Sequence, residues 1–542
     1  MTYDAARADL AAWRGDYPAN PYDADDALRH GLAHYLDGER LLALESRARA
    51  FAADMVSVVA PAAARYEQRA HLPELARFDA LGNRVEEVSF DPSYHRAGTA
   101  VWASGVVALS NTPGTAFEQM TLLYLLSSEG EAGHACPATC TIGLARALRR
   151  RAETPLRERF LPPLVDADYE SAQRGAQFLT EVQGGSDVGA NACVAHDLGD
   201  GSFAISGEKW FCSVANADQF FVTARVDDVA GTRGLGSFVV PRLLDGVPNG
   251  FSLRRLKDKL GTRGLASGEI DFAGARAWPV GPLEEGFRTA VSIVLNTSRW
   301  MTAVGGAGIM RRATLEARNF ARRRRAFGVA IQDFAVVRRT IADMTAASEG
   351  ALGLVLALTE VEDRIDADVA SETDVAVHRF LVNVTKLIVS QQATRTVRSA
   401  IEVLGGNGTI EEFSVLPRLY RDAIVYESWE GTHNVLAAQV LNDLKRLPLL
   451  EAMRAFVDER LNESHPALEL AAVTFADLEH CLDDEEYAAW HFRENLERFA
   501  VVLEALTCRR EAAAHLVATV DRRYDATLDR DLVSRIDLLV GH

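Results

Sequence analysis

Phe178-Leu179-Thr180-Glu181-Val182-Gln183-Gly184-Gly185-Ser186-Asp187 marks the place where a helical chain turns into a sheet-forming one. From the start to about residue 170, apolar residues recur at helical spacing, as in Leu41-Leu42-Ala43-Leu44 followed by Ala48, Phe51, Ala52 and Met55. Joints at Pro18 to Pro21, Asp91-Pro92 and Thr112-Pro113-Gly114 punctuate that stretch. Downstream the texture changes to short apolar runs separated by turn residues: Phe203-Ala204-Ile205, Gln219-Phe220-Phe221-Val222, Ser237-Phe238-Val239-Val240 and Glu269-Ile270-Asp271-Phe272. After Gly286 the helical spacing returns, with long segments over about Phe287 to Phe327 and Asp374 to Leu404. The second stops at paired glycines, as a helix closed by a left-handed cap does. The predicted architecture is mainly α with a central small β domain. Its parts are an amino-terminal helical domain (1–175), a middle β domain (176–285), a helical bundle (286–446) and an extra carboxyl-terminal helical domain (447–542).

Composition narrows the function. A chain of 542 residues, 48% hydrophobic and 25% charged, is too long for a single core and ordinary enough to fold throughout. Its net charge of −18 repels a phosphate backbone unless a local basic face compensates. The last segment, from Glu451 on, has ten arginines and no lysine against 20 acidic residues. Holding nucleic acid there requires Arg509-Arg510 and Arg522-Arg523 on one face, yet Glu511, Asp521 and Asp525 are interleaved with them. The six cysteines form no CxxC pair, which fits a reducing compartment, and Cys136 and Cys140 share a helix face without further metal ligands. Met1-Thr2-Tyr3-Asp4-Ala5-Ala6-Arg7 lacks a basic stretch leading into an apolar core, and no uninterrupted apolar run nears the roughly 18 residues of a membrane span. A cytoplasmic protein without membrane contact or metal is expected.

Five segments carry chemistry. In Thr180 to Asp187, small residues let the backbone approach a ligand and two hydroxyls stand ready, although on spacing alone such a run is more often only a turn. In Gly207-Glu208-Lys209-Trp210-Phe211-Cys212-Ser213, an aromatic face is available for stacking, with a hydroxyl two residues on; taken alone, such aromatics are core. Four arginines, Arg322 to Arg325, precede Ala326-Phe327-Gly328; they point in four directions, so at most one or two share a ligand and the rest form a solvated face. Gly405-Gly406 is either a helix cap or a place where backbone meets a cofactor. Glu427-Ser428-Trp429-Glu430-Gly431-Thr432-His433-Asn434 follows.

Together these segments resemble the acyl-CoA dehydrogenase family, over essentially the whole chain. The first matches Thr-Glu-x-x-x-Gly-Ser-Asp, the second Gly-x-Lys-x-aromatic-x-Ser/Thr, and the third Arg-x-x-Phe-Gly. The resemblance implies the family's fold with an added carboxyl-terminal domain, and FAD as cofactor. It places Thr180 near the flavin ring, Gly185 and Ser186 at the phosphates, Phe211 stacked on the isoalloxazine with Trp210 beneath, and Ser213 near N5. Arg324 would reach the pyrophosphate of a neighbouring subunit, implying a homo-oligomer, tetramer or dimer. Gly405 and Gly406 become cofactor contacts, Thr432 and Asn434 flavin neighbours, and Arg421-Asp422 a structural pair. Ala335 stands where the family often has glutamine, which leaves an adenine-side contact unassigned. Glu430 becomes the base that removes the α-proton of an acyl thioester, on CoA or a carrier protein, while hydride leaves the β-carbon for flavin N5. Electron-transfer flavoprotein or oxygen would then accept the electrons. The length, Arg255-Leu256-Lys257-Asp258-Lys259-Leu260-Gly261 and the added domain are most similar to the AidB branch, whose members are linked to the alkylation response and proposed to bind DNA.

Overall fold

The computed structural model describes residues 3–226, 229–521 and 537–540. It separates into two compact units, one of residues 54–123 and 131–301, the other of 1–53, 124–130 and 302–542. The fold class is the predicted one, mainly α with a central sheet domain.

In the first unit seven strands form one sheet. Ser267–Pro279 pairs with Phe203–Ser213, which pairs with Val194–Asp197, and this strand meets Gln219–Arg225. Leu235–Pro241 then pairs with both Gln219–Arg225 and Ser267–Pro279, so the path closes on itself and leaves few open edges. Phe251–Leu256 and Gly175–Phe178 attach at the flanks. The strands run longer than the apolar stretches that announced them, because sheet pairing carries polar residues such as Glu208 and Lys209 along. Helix Ala135–Arg151 covers Gly175–Phe178, and Leu144, Leu148, Phe221, Val239 and Val294 close the core between them. A hairpin, Glu74–Phe78 with Arg84–Ser89, interrupts the stretch read as helical. Its signal lay in the turn: Asp79 accepts the amides of Leu81 and Asn83 and so closes it, with Gly82 between them.

The second unit is helical. Ala335–Asp366 and Glu372–Leu404 form its spine, and Ser371 and Asp374 cap the second reciprocally. That helix ends at Gly405 with φ +63, a conformation that favours glycine, as the paired glycines predicted. The segment expected as one helix from Phe287 is instead Gly286–Thr289, a wider π-helical stretch Ala290–Leu295 and then Asn296–Arg323. Ala335–Asp366 is long and apolar enough to cross a membrane by length and composition, but 83% of its apolar window is buried within the protein. Asp26–Tyr35 from the chain's beginning lies against it: a methyl on Gly31 would come within 2.4 Å of Leu356, and Arg40 pairs with Asp363 at 2.8 Å.

Of the last helices, Glu485–Thr507 and Arg510–Asp521 pack on the same spine, and Leu468–Asp483 packs on Glu485–Thr507. Gly353 permits that approach, since a Cβ there would sit 2.3 Å from the Thr507 carbonyl oxygen. At this seam Glu504 is fully buried, and burial pushes its carboxyl up to about 8 against an opposing effect of the Gln392 side chain. The folded state therefore binds more protons than the unfolded one between about pH 4.5 and 8, and stability falls as pH rises through that window. At about 1.4 kcal/mol per unit the loss amounts to a few kcal/mol. Glu504→Gln is expected to flatten it, measured as denaturant midpoints at about pH 5 and about pH 9; an unchanged slope would assign the pH dependence elsewhere. Arg522, Arg523, Asp525 and the side chain of Asp521 lie outside the described residues.

Candidate active site

The sequence-predicted residues fall into two sets, one in each unit. In the sheet unit, Thr180, Gly185, Ser186, Phe211 and Ser213 lie on two segments joined by a backbone bond from the Trp210 amide to the Thr180 carbonyl, 3.0 Å. The turn after Thr180 is closed by Gly184 donating to the Glu181 carbonyl at 3.1 Å. Gly185 packs against the Thr180 hydroxyl, since a Cβ there would sit 3.1 Å from it. Ser186 is exposed. Strand Phe203–Ser213 gains one residue against its partner between Lys209, opposite Ile270, and Cys212, opposite Gly268. This bulge breaks the alternation that would otherwise hide position 211 with Lys209. Phe211 is 56% exposed, while Lys209 and Cys212 are buried on either side of it.

Beneath these residues is an ion pair to which the sequence reading assigned no role. Lys209, fully buried, donates to Glu181 at 2.8 Å. Glu181 also accepts the Ala192 amide at 2.6 Å and the Gln183 side chain at 2.8 Å. Burial works to raise the Glu181 pKa, but the Lys209 ammonium and these donors hold it below the usual carboxylate value. The pair locks the Thr180 turn to the strand bearing Phe211. A lone lysine on the strand that also buries Ile205 and Cys212, with Glu181 in the Thr180 motif, was the available signal.

In the helical unit, Arg324, Gly405 and Gly406 line one cavity of about 490 Å³ with Phe320, Ile331 and Leu404. A Cβ on Gly405 or Gly406 would meet nothing within 4 Å, so this backbone edge faces open space rather than packed side chains. Glu402 and Asn407 also line it, so the cavity offers one cation, one carboxylate, open backbone and apolar walls, and its size lies within the roughly 300–1,000 Å³ of ligand sites. Of the four arginines, Arg323 pairs with Asp16 and Arg325 donates to the Gly328 carbonyl, so they do point apart.

Glu430 follows helix Leu416–Ser428 with φ +56, a conformation that costs a non-glycine residue. The flanking loop is gripped by Lys386, fully buried on Glu372–Leu404, which donates to the Gly431 carbonyl at 2.6 Å and the Glu427 carbonyl at 3.2 Å. Trp429 stacks on Tyr426 at 4.9 Å. Lys386 was missed in the sequence, although a lone lysine among Val384, Leu387, Ile388 and Val389 is itself a signal of a special buried position. His433 is held 2.9 Å from Glu427, and burial, partly opposed by that carboxylate, lowers its pKa. Thr432 and Asn434 are exposed at the start of His433–Arg446, and Asn434 accepts from Arg493 at 2.6 Å. Arg421, itself buried, pairs with the exposed Glu411. Among the described residues no group of three or more His, Cys, Asp or Glu side chains is arranged around a metal position.

The sheet unit bears a ligand-accessible aromatic, and the helical unit a carboxylate on strained backbone and a glycine-lined cavity; by its homologues the protein is an oxidoreductase of the dehydrogenase class acting on CH–CH bonds. The chain belongs to the acyl-CoA dehydrogenase family, whose members typically use FAD. Family models match as the AidB N-terminal domain over residues 17–171, the acyl-CoA dehydrogenase middle domain over 176–275 and the acyl-CoA dehydrogenase C-terminal domain over 284–445. Putative acyl-CoA dehydrogenase AidB of Escherichia coli K12 is 35% identical over 387 residues, 69% of either chain. Acyl-CoA dehydrogenase family member 11 of Caenorhabditis elegans is 29% identical over 480 residues, 83% of this chain and 77% of that one. The crystal structure of C. elegans ACDH-11 in complex with C11-CoA superposes with a TM-score of 0.85 at 25% identity, covering 96% of this chain and 91% of that one.

Proposed function

We propose that this protein is an FAD-dependent dehydrogenase of acyl-CoA thioesters, with Glu430 as the base. The observation that carries the reading is the Glu430 loop: a carboxylate held at φ +56 by a buried lysine that grips the carbonyls on either side. Strain of this kind persists where the surroundings over-determine it, and it clusters at functional sites. Bound FAD would supply the acceptor for the two electrons that leave the β-carbon as hydride. The residues fit such a group, with Phe211 open for stacking and Arg324 beside bare glycine backbone in a cavity sized for its ADP half. Arg324 serves there in trans if the assembly is a homo-oligomer. Glu430 takes the α-proton, and donors on the thioester carbonyl stabilise the charge that develops.

The relative solved with C11-CoA supports an acyl-CoA as substrate class, and electron-transfer flavoprotein or oxygen would accept the electrons. For the carboxyl-terminal segment, Arg454, Arg460, Arg493, Arg498 and Arg509 each pair with a carboxylate of this chain, which supports catalysis over nucleic-acid binding. The test is an anaerobic titration of the FAD-loaded protein with short, branched, medium and long acyl-CoAs while flavin absorbance is recorded. Bleaching by a CoA thioester is the expected result. A flavin that stays oxidised with all of them would overturn the reading and shift it to carrier-bound thioesters or to a non-catalytic role.

A further inference from the structure

Lys257 lies just beyond strand Phe251–Leu256, and its side chain is only 12% exposed. Its ammonium stands 3.6 Å from the centre of the Trp210 indole and 4.8 Å from that of the Phe211 ring. It donates to Glu269 at 2.7 Å. That carboxylate is nearly buried and is also bonded by Arg255 at 3.0 Å. The Arg255 hydrogen bond, against the opposing effect of burial and with help from Lys257, holds Glu269 below the usual carboxylate range. Two cations therefore share one carboxylate, which leaves a net positive charge against the aromatic pair.

Ion pairing does not account for the placement. Arg255, with its side chain 65% exposed, already neutralises Glu269 and loses little hydration in doing so. Lys257 instead gives up most of its water to sit on two ring faces, where electron-rich aromatic faces add to its bond with Glu269. The bulge that turns Phe211 outward lies on the same stretch of strand, so the cation and the exposed ring are fixed together.

We propose that Lys257 is a positioning residue for the flavin: it clamps Trp210 and Phe211 and presents a positive charge to the ring system stacked on Phe211. The inference rests on the reading that Phe211 stacks on bound FAD. In the reaction, Glu430 receives the α-proton and the β-hydrogen departs as hydride, so the acceptor gains two electrons and one proton and thus one negative charge. Lys257 favours that added charge and so raises the tendency of the cofactor to take the electrons. At roughly 8 Å and an effective dielectric of about 30, a single charge is worth roughly tenfold in such an equilibrium.

The experiment uses the FAD-loaded full chain and compares Lys257→Met, Lys257→Arg and Phe211→Ala with the wild type. The readouts are the midpoint potential of the bound FAD against a reference dye and the FAD dissociation constant. Lys257→Met is expected to lower the potential, moving the reduced-to-oxidised ratio about tenfold towards oxidised at fixed poise, while Lys257→Arg keeps the charge and stays near wild type. Phe211→Ala is expected to weaken FAD binding and perturb its absorbance. A wild-type potential in Lys257→Met, beside weakened FAD binding in Phe211→Ala, overturns this inference alone. An equal fall in the Met and Arg variants assigns the effect to packing and overturns it as well. Unchanged FAD affinity and absorbance in Phe211→Ala removes the stacking reading and this inference with it.

Discussion

Glu430→Gln is expected to lower turnover by about 10² to 10⁴, the usual worth of a positioned general base, while FAD stays bound. The substitution is nearly isosteric, so the loop need not move. Glu430 keeps φ +56 because Lys386 fixes the carbonyls of Glu427 and Gly431 from inside the helical unit, and neither bond involves the Glu430 side chain. What changes is proton affinity, since an amide cannot accept the α-proton. Stopped-flow reduction by acyl-CoA under anaerobic conditions separates this step from reoxidation. The variant should bind flavin with wild-type stoichiometry, keep its melting temperature and reduce slowly. Reduction at the wild-type rate would remove Glu430 from the chemistry.

Lys209→Met should be among the most destabilising single changes in the sheet unit, by about 3–5 kcal/mol, because it leaves a buried carboxylate without its cation. Glu181 would retain the Ala192 amide and the Gln183 side chain, at 2.6 and 2.8 Å, which satisfy its oxygens but not its charge. The single variant should therefore recover stability as pH is lowered and Glu181 becomes protonated. In the wild type the opposite holds: with a folded pKa below the unfolded one, the Glu181 contribution is present above the unfolded value and lost as pH falls through the folded one. Because the pair ties the Thr180 turn to the strand of Phe211, FAD affinity should fall together with stability. Pairing Lys209→Met with Glu181→Leu tests the cause, as two apolar residues in place of a buried ion pair cost far less than one orphaned charge. A double variant no more stable than the single one would show that the lysine acts through its packing. Chemical denaturation of the wild type, both single variants and the double variant measures the stabilities, and flavin titration measures the affinity.

The class of fold was legible in the chain because local periodicity carries it. Phe203-Ala204-Ile205 and Gln219-Phe220-Phe221-Val222 announced strands, and Glu372–Leu404 shows its cap at Ser371 and its stop at Gly405 in residue types alone. The hairpin at Glu74–Ser89 had the same kind of signal and was passed over. The motifs named the residues where cofactor and base are proposed, and the family is fixed by their likeness over most of the chain. Only the tertiary structure decided which groups hold those residues in place. Lys209 finds Glu181 across 28 residues of sequence, and Lys386 reaches the Gly431 carbonyl across 45. Arg324 shares a cavity with Gly405 and Gly406, and one extra residue in a strand ladder turns Phe211 outward beside Lys257. Periodicity reports which face of an element is apolar; it does not report which distant element that face will meet. A buried cation is stable only opposite the carboxylate or carbonyls that packing delivers, so its partner is settled when the chain closes on itself and not before.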